Sequence, residues 1–221
     1  MKAAIFSCKG LGDGLIALIL SNNLSRNGFE TTTFHSSLHG MQSWFPGLLL
    51  RPFPEIPQLL SNYDRYFIIY ENSPWMLAIL KECKERFPEK TTILNPIATP
   101  NCDYPYWEQG RFNGRLSFAD NLYFFCRDRL NFANATKENG IKAPPSVVSR
   151  KYPSRVVIHP TSSRAGKNWA KEKYIKLARE LKKMDFDPVF VLGENEKEDW
   201  ENEKFRSFSS FDELAVFVAE S

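Results

Sequence analysis

Cysteine is scarce in this chain, and the four present, Cys8, Cys83, Cys102 and Cys126, are scattered with no C-x-x-C pair. Neither a zinc-ligand spacing nor a disulfide framework is signalled, and the cytoplasm is the expected compartment. Long apolar runs are missing too. The longest, Leu15 to Leu20, falls far short of the ~18 residues of a membrane-spanning helix. Met1-Lys2-Ala3-Ala4-Ile5-Phe6 has one positive charge and too small an apolar stretch for a signal peptide. Charge of one sign is also lacking: the net charge is only +3, which gives no argument for nucleic acid.

What is present is an ordinary globular composition, with 43% hydrophobic and 14% aromatic residues, enough to build a core and exclude wholesale disorder. At roughly 150 residues per domain, the 221 residues correspond to about one and a half domains. Charge is unevenly spread: residues 151–183 carry ten Lys or Arg against two Glu, whereas 184–221 carry three against eleven acidic residues. Most of that basic group falls on the outer face of one predicted helix, so it reads as a solvated face.

The order of elements is that of an α/β fold. Ala3 to Ser7 is a short apolar run of the kind buried on both faces of a parallel sheet. A turn, Gly10-Leu11-Gly12-Asp13-Gly14, leads into an apolar helix over Leu15 to Leu24, with Asp13 as a candidate N-cap. Asn27-Gly28 ends it, and Glu30 to His35 reads as a second strand. Strand Arg65–Tyr70, a helix opened by Pro74, strand Thr91–Leu94, a loop over 95–115 and an aromatic-rich helix over Phe118–Phe132 follow. These make a first Rossmann-like domain over residues 1–142. Prolines 144, 145 and 153 mark a linker over 143–154. The pattern then restarts over 155–221: strand Arg155–His159, polar loop, helix 170–184, strand Val189–Leu192, Gly193, and a final helix opened by Ser210 and Glu213. The 170–184 helix is expected to bury Ala170, Tyr174, Leu177, Ala178, Leu181 and Met184.

Three motifs are candidates for chemistry. The Gly10, Gly12, Gly14 turn is neither a Walker A loop nor G-x-G-x-x-G. Its glycines would let backbone approach an anion at a helix N-terminus, or Asp13 would merely cap the helix. The second is His159-Pro160-Thr161-Ser162-Ser163-Arg164-Ala165-Gly166-Lys167-Asn168-Trp169. Hydroxyls and cations between strand and helix, at a sheet's carboxyl edge, suit a diphosphate. An ordinary polar loop is the alternative, and Trp169 is expected in the core. The third, His35 with His39, has helical metal spacing, but Gly40 follows and no third ligand is near in sequence, so no metal is expected.

Taken together, the first two motifs resemble the heptosyltransferase family of lipopolysaccharide synthesis. The strand–GLGDGL–helix start is similar to the family's strand–S-x-G-D–helix, and VVIHPTSSRAGKNW to the opening of its second domain. KEKYIKLARELKK, VFVLGENEKE and SSFDELAVFVAES resemble the helix, strand-Gly-x-x-Glu and helix that follow there. The likeness covers 1–30 and 154–221 well and the middle only by element order. It implies a GT-B glycosyltransferase with two Rossmann-like domains, metal-independent and inverting, needing no cofactor and taking a nucleotide-sugar such as ADP-heptose as donor. In the resemblance Asp13 is the base, Thr161, Ser162, Ser163 and Lys167 hold the donor diphosphate with Gly193, and Glu196 approaches the ribose. A lipid-linked or oligosaccharide acceptor, and peripheral association with the inner membrane, are implied as well.

The sequence departs from the family where Gly10-Leu11 replaces a Ser before Gly-Asp. The family's later Asp-Thr/Ser-Gly-x-x-His motif is not in the sequence, so the second domain is expected to be incomplete. Phe211, Leu214, Phe217 and Val218 would then face outward and favour self-association through the 210–221 helix, and the chain to Ser221 is expected not to transfer sugar by itself. A non-catalytic nucleotide-sugar-binding remnant and an unrelated Rossmann-like sugar-nucleotide enzyme are the other readings.

Overall fold

A computed structural model of the chain describes residues 1–53, 62–95, 110–162, 165–193, 196–197, 200 and 203–221. Most of the 95–115 loop, together with Cys102, Ser163 and Arg164, lies outside the described residues. The chain forms two compact units, Met1–Lys142 and Ala143–Ser221.

The first unit is built on five parallel strands: β1 (Lys2–Phe6), β2 (Glu30–Phe34), β3 (Leu49–Arg51), β4 (Arg65–Ile69) and β5 (Thr91–Leu94). Their order is β3-β2-β1-β4-β5, with β1 central between β2 and β4. Alternation along the strands sorts the core into two layers. Ala3, Ile5, Phe67 and Ile69 face helix α1 (Leu11–Arg26) and helix α3 (Phe118–Phe124), meeting Ala17, Leu20, Leu24 and Leu122. Ala4, Phe6, Tyr66 and Ile68 face helix α2 (Pro74–Arg86), meeting Met76, Ile79, Leu80 and Cys83. A sheet covered on both faces explains why its strands read as unbroken apolar runs. Helix α2 starts as expected, with Pro74 in its first turn and the Ser73 hydroxyl accepting from Met76 N. The aromatic stretch after Phe124 continues as a π-turn over Phe125–Arg129.

Polar side chains lock α1 in place. Ser21 and Thr33 share a buried hydrogen bond of 2.7 Å, and the Asn23 amide clamps Thr136, donating to its carbonyl and accepting from its N–H, both at 2.8 Å. Beyond the predicted elements, a 3₁₀ stretch over Leu38–Trp44 precedes β3. The Gln42 side chain ties the two, donating to the Phe45 and Leu48 carbonyls and accepting from Leu50 N.

The second unit has three parallel strands, β6 (Arg155–Ile158), β7 (Asp187–Val191) and β8 (Phe205–Arg206), in that order. Helix α4 (Lys171–Lys183) lays Tyr174, Ile175, Ala178 and Leu181 against Ile158, Phe190, Leu192 and Trp200. Two expectations are corrected here. Ala170, Leu177 and Met184 are exposed, because Ala170 is the N-cap of α4 and the buried stripe runs through Ile175 instead. Trp169 is 59% exposed, resting on the Tyr174 ring rather than in the core. Helix α5 (Phe211–Ala219) is capped by the Ser210 hydroxyl, while Glu213 reaches back to Ser209. No residue of α5 is buried. The 143–154 segment is hydrogen bonded within this unit: Arg150 N donates to the Ala219 carbonyl and Tyr152 N to the Glu220 carbonyl.

Candidate active site

In the first unit the sequence-predicted residues collect at the carboxyl edge of β1. Strand order changes direction there, with β2 on one side and β4 on the other, which in open α/β sheets opens the crevice that takes ligands. The glycine turn differs from its sequence reading. Helix α1 begins at Leu11, with Gly10 as N-cap and no side-chain capping bond, so Asp13 is the third residue of the helix and not its cap. Gly10 can take that place because a glycine N-cap costs only a few tenths of a kcal/mol relative to a capping side chain. Asp13 is thereby left exposed in the first turn, beside free backbone N–H groups that favour a negative charge.

The three glycines separate by surroundings. Space around Gly12 is open, whereas a Cβ on Gly10 would lie 3.4 Å from Asp13 Oδ2. A Cβ on Gly14 would stand 2.3 Å from His35 Nε2, so Gly14 admits a histidine ring and not a ligand. His35 is 1% exposed. Its Nδ1 accepts from Ser37 N (3.0 Å) and Leu38 N (3.2 Å), which puts the proton of the neutral ring on Nε2, facing the Gly10 carbonyl at 3.3 Å. Burial holds the ring below the ordinary histidine pKa. Both nitrogens are engaged by backbone, and among the described residues no three His, Cys, Asp or Glu are grouped to hold a metal.

Glu71, just beyond β4, joins this edge: its carboxylate accepts from Lys9 N at 2.7 Å. Cys8 is buried behind it, and its thiol is pushed up to about 11, first by burial, with the Asp13 and Glu71 charges adding. Sequence reasoning missed Glu71. The available signal was its place directly after a buried strand at the carboxyl edge of the sheet.

The second unit gathers part of its predicted set at the ends of β6 and β7. Glu196 Oε2 accepts from Gly193 N at 2.6 Å. The Thr161 hydroxyl is buried without a well-formed hydrogen bond and lies beside that carboxylate. It is the first cause holding the Glu196 carboxyl below its ordinary pKa, followed in the same direction by the Gly193 N–H and the His159 ring. His159 Nδ1 donates to the Val191 carbonyl at 2.9 Å, fixing the ring against β7. Ser162 donates to Asn168 at 2.8 Å. Lys167 is exposed at the end of a single 3₁₀ turn, Ala165–Lys167. Thr161, Gly193 and Glu196 are thus brought together, while Ser162 and Lys167 stand on the loop that leads to α4.

No protein-family model and no curated protein sequence matches the chain. Solved structures do. Escherichia coli ADP-heptose lps heptosyltransferase II aligns with 99% of this chain and 76% of its own, at TM-score 0.68 and 14% identity. Escherichia coli heptosyltransferase WaaC with ADP aligns with 100% of this chain and 79% of its own, at TM-score 0.70 and 12% identity. The chain has the heptosyltransferase fold. A glycosyl transferase family 9 protein from Veillonella parvula shares it, at TM-score 0.65 and 10% identity over 97% of this chain and 72% of the other. The α/β fold with two Rossmann-like units is therefore that of GT-B glycosyltransferases. No helix among the described residues is long and apolar enough to cross a membrane.

Proposed function

We propose that the protein is a glycosyltransferase of the heptosyltransferase type, moving heptose from the nucleotide-sugar ADP-heptose to a lipopolysaccharide-core-like acceptor. The observation that carries this reading is Asp13: an exposed carboxylate in the first turn of α1, at the carboxyl edge of β1, in a chain with the heptosyltransferase fold.

The chemistry is a direct displacement. Asp13 takes the proton of the acceptor hydroxyl as that oxygen bonds to the anomeric carbon. The bond from that carbon to the donor diphosphate breaks, and its electron pair leaves on the diphosphate oxygen, inverting the centre. No metal is needed where protein groups stabilise the departing charge. Lys167 and the hydroxyls of Thr161, Ser162 and Ser163 are assigned to that task, with Gly193 at the same edge and Glu196 toward the nucleoside ribose. As a base Asp13 depends on close alignment with the acceptor hydroxyl.

Full-length protein supplied with ADP-heptose and a lipopolysaccharide-core acceptor tests this reading. Asp13→Asn is expected to lower kcat by ~10²-fold or more while donor affinity holds. A wild type that binds no ADP-heptose, or unchanged turnover in the variant, overturns it.

A further inference from the structure

Asp13 stands on a turn that a buried histidine holds from behind. His35 follows β2 directly, and its own N–H donates to the Arg51 carbonyl of β3, so its backbone is fixed by the sheet. Two backbone donors, Ser37 N and Leu38 N, occupy Nδ1. The remaining ring proton points at the Gly10 carbonyl, which also accepts from Gly14 N at 2.8 Å. Gly10 is the N-cap of α1, and Asp13 Oδ2 folds back over it. The absence of a side chain at Gly14 is what lets the ring reach this position. A leucine could fill the space, but it would leave the Gly10 carbonyl without its second donor.

We propose that His35 is a positioning residue: through its Nε2–H it pins the Gly10 carbonyl, fixes the first turn of α1, and so sets where the Asp13 carboxylate stands. This rests on the reading of Asp13 as the base. The charged and titratable groups that act on the ring are Glu71 beyond β4 and His39 in the 3₁₀ stretch, and neither competes for the Gly10 carbonyl.

The two ring nitrogens can be tested apart. His35→Gln keeps a donor near the place of Nε2, and His35→Asn keeps an acceptor near the place of Nδ1. The expected result is that H35Q stays within about threefold of the wild-type kcat, while H35N loses roughly 10- to 100-fold in kcat with donor KM unchanged. The order by kcat should not follow the order by melting temperature. Losses in both variants that track stability alone would make His35 a filler and overturn the proposal. Ring ¹⁵N shifts supply a readout apart from activity, with Nε2 expected to be protonated and Nδ1 not; the reverse also overturns it. If the wild type binds no ADP-heptose, the function reading fails by itself, and if it transfers no sugar, kcat gives no readout. The Asp13 carboxyl ¹³C resonance then replaces kcat: it should move in H35N and not in H35Q, and movement in neither overturns the role of His35.

Discussion

Gly14 and His35 compete for one space: a Cβ on Gly14 would stand 2.3 Å from the ring Nε2 and 2.5 Å from Cδ2. The ring cannot yield cheaply, because its backbone N–H and both of its nitrogens are engaged. Gly12, two residues earlier on the same turn, meets nothing within 4 Å.

The pair gives a sharp contrast in stability. Alanine is favoured over glycine in a helix by about 1 kcal/mol, so Gly12→Ala should be neutral or stabilising in urea unfolding. Gly14→Ala gains the same propensity but overpacks a closed space, at a cost of ~1–3 kcal/mol or more. It should be the less stable of the two and should shift the His35 ring resonances. Equal midpoints for the two variants would mean that the ring is not fixed against α1.

His35 also makes stability depend on pH. Burial lowers its folded-state pKa below 6.5, against the opposing effects of the Gly10 carbonyl and Glu71. Between the two values the unfolded chain binds the extra proton and the folded chain does not, so stability rises with pH across that window. The contribution is complete above about pH 6.5 and is lost as pH falls toward the folded-state pKa. Urea midpoints measured downward from neutral pH should therefore fall more steeply in wild type than in H35Q. Parallel curves would show that the ring titrates alike in both states.

Local patterns made much of this fold legible. The apolar runs at Ala3–Phe6 and Arg65–Ile69, the Pro74 helix start and the Asn27-Gly28 stop each carry their signal within a few residues. What was not legible depends on distant partners. Leu49–Arg51 is too short to stand out, and it is a strand because Gln42 and β2 hold it. His35 offered the sequence only its spacing to His39, since Gly10 and Gly14, which its Nε2 edge meets, are separated from it by helix α1, a turn and strand β2. Asp13 was placed in the right turn with the wrong local role, because a glycine N-cap leaves no side-chain signature. In the candidate donor region, Thr161 and Glu196 were singled out separately. That they meet follows from β6 and β7 lying side by side.

That meeting is open to measurement. The Thr161 hydroxyl is the first cause of the lowered Glu196 pKa. Thr161→Val keeps the shape and removes the hydroxyl, so the Glu196 carboxyl should titrate at higher pH, closer to 4.5, in a ¹³C-detected titration. The sign of the stability effect follows. A lowered carboxyl pKa contributes stability that is present above the unfolded value and lost as pH falls through the folded one, so the variant should lose less stability on acidification. An unchanged Glu196 titration would assign its shift to the Gly193 N–H and His159 instead.

The last prediction concerns how a diphosphate would be held without a metal. Lys167 is exposed on the loop between β6 and α4, at the end of a 3₁₀ turn and one residue before Asn168, which orients Ser162. A lysine there acts as a point charge, and a point charge in solvent is screened by salt. Lys167→Ala should therefore weaken ADP binding by about tenfold at low ionic strength, and the affinity that remains should respond less to added salt than that of wild type. The second half separates electrostatic contact from loop damage, since a disordered loop would lower affinity at every salt concentration and leave the slope unchanged. Calorimetry at two ionic strengths provides both numbers. Equal affinity in the two proteins at low salt would move the diphosphate away from Lys167, leaving the hydroxyls of Thr161 and Ser162 as its candidate holders.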